Sequence, residues 1–152
     1  TGVVIDKVNK SLYEDTRPTE FVSLFYGVLD EQKLNFTYTN AGHNAPILFR
    51  DDKITFLESG GIPLGIIDDA IYDEEQIQLV SGDVVLFYTD GVTDTVNKSK
   101  EVYGLERLVN VAQKNICQNS NDLIDIIYNE LFNFSSDEPQ IDDMTLIILR
   151  IL

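Results

Sequence analysis

The stretch VVLFYTDG, residues 84–91, runs from Val84 through Tyr88 as an apolar and aromatic strand and then meets Thr89, Asp90 and Gly91. A strand apolar on both faces belongs in the middle of a layered structure. Asp-Gly is an ordinary turn signal, yet a carboxylate at the end of a buried strand is also where a cation would be held. The stretch alone leaves both readings open.

Working outward, Ser81-Gly82-Asp83 separates this strand from Gln76 to Val80, which reads as its hairpin-like partner. Downstream, Leu105, Leu108, Val109 and Ala112 make one helical stripe. Leu123, Ile127 and Leu131 make another behind a Ser120 cap. Met144 to Leu152 closes the chain as a fully apolar strand. Upstream, Leu34, Phe36 and Tyr38 alternate with Asn35, Thr37 and Thr39, the period of a half-exposed strand pairing with Phe21 to Leu29, where Gly27 suggests a bulge. Ala45 to Phe49 and Ile54 to Leu57 form a further hairpin across Asp51-Asp52-Lys53. The first helix, Val3 to Tyr13, places Val4, Val8 and Leu12 on one face with Ile5 beside them, and Thr16, Arg17 and Pro18 stop it. Helix, hairpin strands, two helices and a closing strand, without regular strand-helix alternation, predict an α+β layered fold with mostly antiparallel sheets.

At 152 residues the chain fits a single domain able to bury a core without staples. Its 11 Lys plus Arg against 26 Asp plus Glu leave a formal charge of -15, which works against unaided binding to nucleic acid or anionic lipid. One cysteine, Cys117, allows no internal disulfide and suits a reducing cytoplasm; as a side chain it reads as a half-buried helix residue. No apolar run approaches the roughly 18 residues that span a membrane. The chain opens on Thr1, which suggests a piece of a longer or processed protein.

Asp90 ends one buried strand, and Asp142 and Asp143 precede another. If the two strands are antiparallel neighbours, both acids reach the same sheet edge, where Mg²⁺ or Mn²⁺ would find the oxygen ligands it prefers. Asp143 competes with Asp142, since successive residues of a strand face opposite ways. His43, the only histidine, lies in a loop between strands. It reads either as a general acid or phosphate orienter, or more simply as a loop histidine bonded to backbone. Gly60 to Gly65 lacks the strand and helix context of a phosphate loop and reads as a tightly packed turn. No side-chain nucleophile with a base beside it is evident.

Taken together, Phe21-Val22-Ser23-Leu24-Phe25-Tyr26-Gly27-Val28-Leu29-Asp30, Asn40-Ala41-Gly42-His43-Asn44-Ala45-Pro46, Pro63-Leu64-Gly65, Ser81-Gly82-Asp83, Tyr88-Thr89-Asp90-Gly91-Val92-Thr93 and Asp142-Asp143-Met144-Thr145-Leu146 come in the order of a known family. The chain resembles the bacterial PP2C-type (PPM) serine/threonine phosphatases of the sporulation stage II E and stress-regulator branch. The resemblance implies a β-sandwich flanked by helices and a pair of Mn²⁺ or Mg²⁺ ions, one of them held by Asp90 and Asp142. It implies no catalytic side-chain nucleophile, because a water between the two ions attacks phosphorus in line. Asp94 stands where the family usually has glutamate. The family's initial helices act as a regulatory switch and contact surface, a role that would fall to Val3 to Tyr13.

The family's first block, a Gly-Asp-Val-Ser-Gly-His-Gly-like stretch that carries the bridging aspartate, has no counterpart here. Residues 1–152 are therefore expected to be the C-terminal portion of one PP2C-like domain, inactive alone and able to build half of the binuclear centre. The implied substrate is phosphoserine or phosphothreonine of a regulatory protein such as an anti-sigma-factor antagonist. The implied setting is cytoplasmic, in a parent with an upstream sensor or response-regulator domain, open to homodimer formation and to membrane tethering. The alternative is a non-catalytic PP2C-like module that binds a partner.

Overall fold

The computed structural model describes every residue except Pro18 and Asp137. In chain order the elements are α1 (Gly2–Asp15), β1 (Leu24–Asp30), β2 (Asn35–Ala41), β3 (Ile47–Arg50), β4 (Lys53–Phe56), β5 (Gly60–Gly61), β6 (Glu75–Gln78), β7 (Val84–Tyr88), α2 (Asp90–Thr93), α3 (Gly104–Lys114), α4 (Ser120–Ser135) and β8 (Leu146–Arg150). They fall into two compact units, Thr1–Ala45 with Phe56–Ser81, and Pro46–Thr55 with Gly82–Leu152. The α+β class with antiparallel sheets and flanking helices is as the sequence predicts.

In the first unit β1 and β2 pair without a break from Leu24↔Ala41 to Asp30↔Asn35. β6 lies antiparallel on the other side of β2, and β5 runs parallel to its last two residues. Gly27 makes no bulge, contrary to expectation. The Phe36 ring lies over it, and a Cβ there would come within 2.5 Å of that ring. The missing side chain thus leaves room for Phe25, Phe36 and Tyr38 to stack, Phe25 and Tyr38 at 5.3 Å between centroids.

Helix α1 ends at Asp15, and Thr16 caps it by donating both its N–H and its hydroxyl to Leu12 O; Pro18, part of the expected stop, lies outside the described residues. The predicted face is wrong by a rotation. Gly2, Ile5 and Asn9 are buried, whereas Val4 and Val8 are 48% and 37% exposed. Asn9 can be buried because its amide is fully used: Nδ2 donates to Ile67 O and Asp68 O, and Oδ1 accepts from the Gly65 N–H and the Tyr72 hydroxyl.

In the second unit the sheet order is β4-β3-β7-β8. β7 is central and buried along most of its length, as its two-sided apolarity requires. Its expected hairpin with residues 76–80 does not form: β6 joins the first sheet and β7 the second. Strand β8 is shorter and less buried than predicted, with Ile147 56% exposed, because it pairs only with β7 among the described residues. Leu108 and Ala112 from α3 and Leu123, Ile127 and Leu131 from α4 bury against Ile47, Phe49, Val84, Leu86 and Tyr88. The cap of α4 is Asn119, one residue before the predicted Ser120; its side chain accepts from the Asp122 N–H. Cys117 is exposed in the turn after α3 and is not a half-buried helix residue.

Candidate functional site

The ladder between β7 and β8 is antiparallel and ends at Tyr88↔Leu146. Beyond that pair, Thr89 and Asp90 leave one strand where Thr145 and the Asp142-Asp143 segment enter the other. The two acidic stretches expected to share an edge do so. Thr89 N–H donates to Thr145 O at 3.2 Å. Its hydroxyl donates to Asp143 O at 3.0 Å and accepts from the Thr145 N–H at 2.9 Å.

Asp90 opens the single turn of α2, with Thr89 extended before it. Gly91 follows because nothing larger fits: a Cβ would lie 2.4 Å from Asp143 O and 3.1 Å from Asp142 O. Val92 packs into the apolar core. The turn is closed by bonds from the Asp94 N–H to Asp90 O at 2.7 Å and from the Thr95 hydroxyl to Gly91 O at 2.9 Å. Aspartate 90 thus stands exposed on a turn whose far side is buried.

Asp142 and Asp143 are exposed too. The Asp143 N–H donates to Asp142 Oδ1 at 2.7 Å, and Gln140 Nε2 donates to Asp142 O at 2.6 Å. Gln140, Ile141, Asp142 and Asp143 line an open depression of about 310 Å³. Beside it, sharing Gln140 and Ile141, lies a more apolar cavity of about 230 Å³ lined by Val96, Tyr128, Phe132 and Met144 among others. These donors, carboxylates and backbone carbonyls at an open edge, are of the type a hard divalent cation takes. Among the described residues no group of three or more His, Cys, Asp or Glu is gathered to hold an ion.

His43 sits in the first unit. Its N–H donates to Asn40 Oδ1 at 2.8 Å and its carbonyl accepts from Asn40 Nδ2 at 3.0 Å, so one amide side chain holds both backbone groups of His43. Its Nδ1 lies 3.0 Å from the Ser23 hydroxyl. Gly42, at φ +68°, packs so closely on Pro63 that a Cβ would meet its ring at 2.5 Å. Gly60 is tighter still against the Asn40 backbone, where a Cβ would lie 1.8 Å from Asn40 O, which makes the glycine-rich stretch a packing device. The sequence offers Thr89, like Thr93 and Thr95, only as a nucleophile without a base beside it; its bonds to Asp143 and Thr145 become visible only with the partner strand in place.

A family profile described as Stage II sporulation protein E (SpoIIE) matches residues 1–152. Protein IcfG of Synechocystis sp. is 32% identical over 128 residues, covering 84% of this chain and 20% of IcfG. Phosphoserine phosphatase RsbU of Bacillus subtilis is 30% identical over 151 residues, covering 97% of this chain and 44% of RsbU. The chain thus spans less than half the length of these curated relatives. The SiaA-PP2C domain of Pseudomonas aeruginosa superposes with a TM-score of 0.83 at 13% identity, over 99% of this chain and 59% of that one. The phosphatase domain of SpoIIE from Bacillus subtilis, solved after presoaking with Mn, gives 0.70 at 19% identity, over 98% of this chain and 65% of that one. These superpositions show a PP2C-type fold. The chain belongs to the Stage II sporulation protein E (SpoIIE) family.

Proposed function

We propose that this chain is part of a metal-dependent protein serine/threonine phosphatase, with Asp90 and Asp142 holding one Mn²⁺ or Mg²⁺ ion. The observation that carries the reading is the meeting of the Asp90-Gly91 turn and the Asp142-Asp143 segment past the end of the β7–β8 ladder. The similarity to RsbU, a phosphoserine phosphatase, supports a phosphoprotein substrate. A regulatory protein such as an anti-sigma-factor antagonist fits that class. When bound, the ions would activate water for attack on phosphorus and neutralise charge on the phosphoryl oxygens.

The residues themselves do the holding and placing. Asp90 is presented by a turn anchored through Val92 and Thr95, and Asp142 by a segment tied to Thr89. Gly91 keeps the two backbones close. No side chain need act as nucleophile.

The test is release of phosphate from a phosphoserine protein, with and without Mn²⁺, by the protein carrying this chain and by its Asp90→Asn and Asp142→Asn forms. Loss of a direct ligand should cost more than the roughly 10–100-fold typical of outer-shell residues. An Asp143→Asn form decides which neighbour is the ligand. Activity indifferent to chelator and unchanged in the Asp90 variant would sink the reading and leave a partner-binding module in its place.

A further inference from the structure

Past Tyr88↔Leu146 the β7–β8 ladder is continued by one backbone bond, Thr89 N–H to Thr145 O, and then by a side chain. The Thr89 hydroxyl donates to Asp143 O and accepts from the Thr145 N–H, groups that the Thr89 carbonyl and the Gly91 N–H would have met had the strand run on. Asp143 carries the contact onward through its preceding peptide group, whose N–H donates to Asp142 Oδ1 at 2.7 Å. Gly91 also lies against the Asp143 carbonyl with no space for a Cβ. The Asp143 carbonyl is therefore held by Thr89 and crowded by Gly91, the two residues that flank Asp90.

We propose that Thr89 is a positioning residue: by clamping the Asp143 peptide it fixes the Asp142 carboxylate relative to Asp90 and so sets the affinity of the edge for a divalent cation. This rests on the reading of Asp90 and Asp142 as ligands. Serine keeps the hydroxyl, whereas valine keeps the shape and loses both bonds. Residues that orient metal ligands typically change affinity by about 10–100-fold when replaced.

The experiment is a Mn²⁺ titration of the protein carrying this chain, following free ion by electron paramagnetic resonance, for wild type, Thr89→Val, Thr89→Ser and Asp90→Asn, with a metal-free thermal melt of each. The expected result is affinity about 10–100-fold weaker in Thr89→Val, recovered in Thr89→Ser, with the metal-free melts of those two alike. Wild-type affinity in Thr89→Val, alongside a loss in Asp90→Asn, overturns the role of Thr89 and leaves Asp90 as a ligand. Equal titrations for wild type and Asp90→Asn overturn both. A serine variant that fails to recover binding, or an affinity loss that follows a lowered metal-free melting temperature, reduces Thr89 to a structural residue and overturns the proposal.

Discussion

Asp83 shows how much one residue can hide. Its place in Ser81-Gly82-Asp83 reads as a turn, yet its side chain is only 1% exposed and meets Arg50 in a fork, Nε to Oδ1 at 2.8 Å and Nη2 to Oδ2 at 2.6 Å. The carboxylate beside it raises the Arg50 guanidinium above its usual value. The pair ties β3 to the start of β7, while the backbone of Asp83 and Gly82 bonds to Ile151. Removing the carboxylate breaks this fork at a partly buried site. Asp83→Ala is expected to cost about 3 kcal/mol, read as a lowered urea midpoint at unchanged slope. Replacing both residues by apolar ones of similar size should cost less. The pairing was not legible in the sequence, because Arg50 and Asp83 are far apart in the chain and each alone looks like a surface charge. Asp90 and Asp142 were legible as a candidate pair, since each sits beside an apolar strand whose end can be read.

Among the elements, those with strong periodicity follow the sequence. Leu123, Ile127 and Leu131 are buried as expected, and β2 alternates through Phe36 and Tyr38. The misplaced face of α1 has a plain cause: hydropathy registers how apolar a residue is and says nothing of the partners that let a polar one be buried. Helix α1 turns Asn9 inward because loop carbonyls and the Gly65 N–H await it, and Val4 and Val8 are left half exposed. Asn9→Leu should therefore destabilise the chain by at least about 2 kcal/mol despite adding apolar surface, since the Gly65 N–H and the Ile67 and Asp68 carbonyls lose their partner. Chemical denaturation checks the magnitude. Native-state hydrogen exchange at Gly65 checks the cause. The separation of β6 from β7 was likewise unreadable, because a short polar turn can close a hairpin or carry the chain from one sheet to another.

For the molecule as a whole, four buried tyrosines set its response to alkali. Burial raises the Tyr38 hydroxyl, further raised by its bond to Glu75, and raises Tyr72, Tyr88 and Tyr103, with Asp6 adding to Tyr72 and Glu130 to Tyr103. A raised folded value means that the unfolded chain loses its tyrosine protons first, near pH 10. Their contribution is whole below that pH and is lost as pH climbs toward the folded values. Stability should accordingly fall steeply above about pH 10. Tyrosinate absorbance should rise partly in step with unfolding by circular dichroism; ionisation of all the tyrosines in a still-folded chain would contradict this. The two compact units each carry a sheet and a buried cluster of their own. No helix among the described residues is long and apolar enough to cross a membrane.

The exposed turn that holds Cys117 has a practical consequence. As the chain's only sulfhydryl, it is a ready-made attachment point for a fluorophore or nitroxide, reached without altering any residue argued to hold a cation or to support the core. The same accessibility means that stored protein left without reductant can join in pairs through it, a covalent artefact to be removed before any measurement of self-association is interpreted.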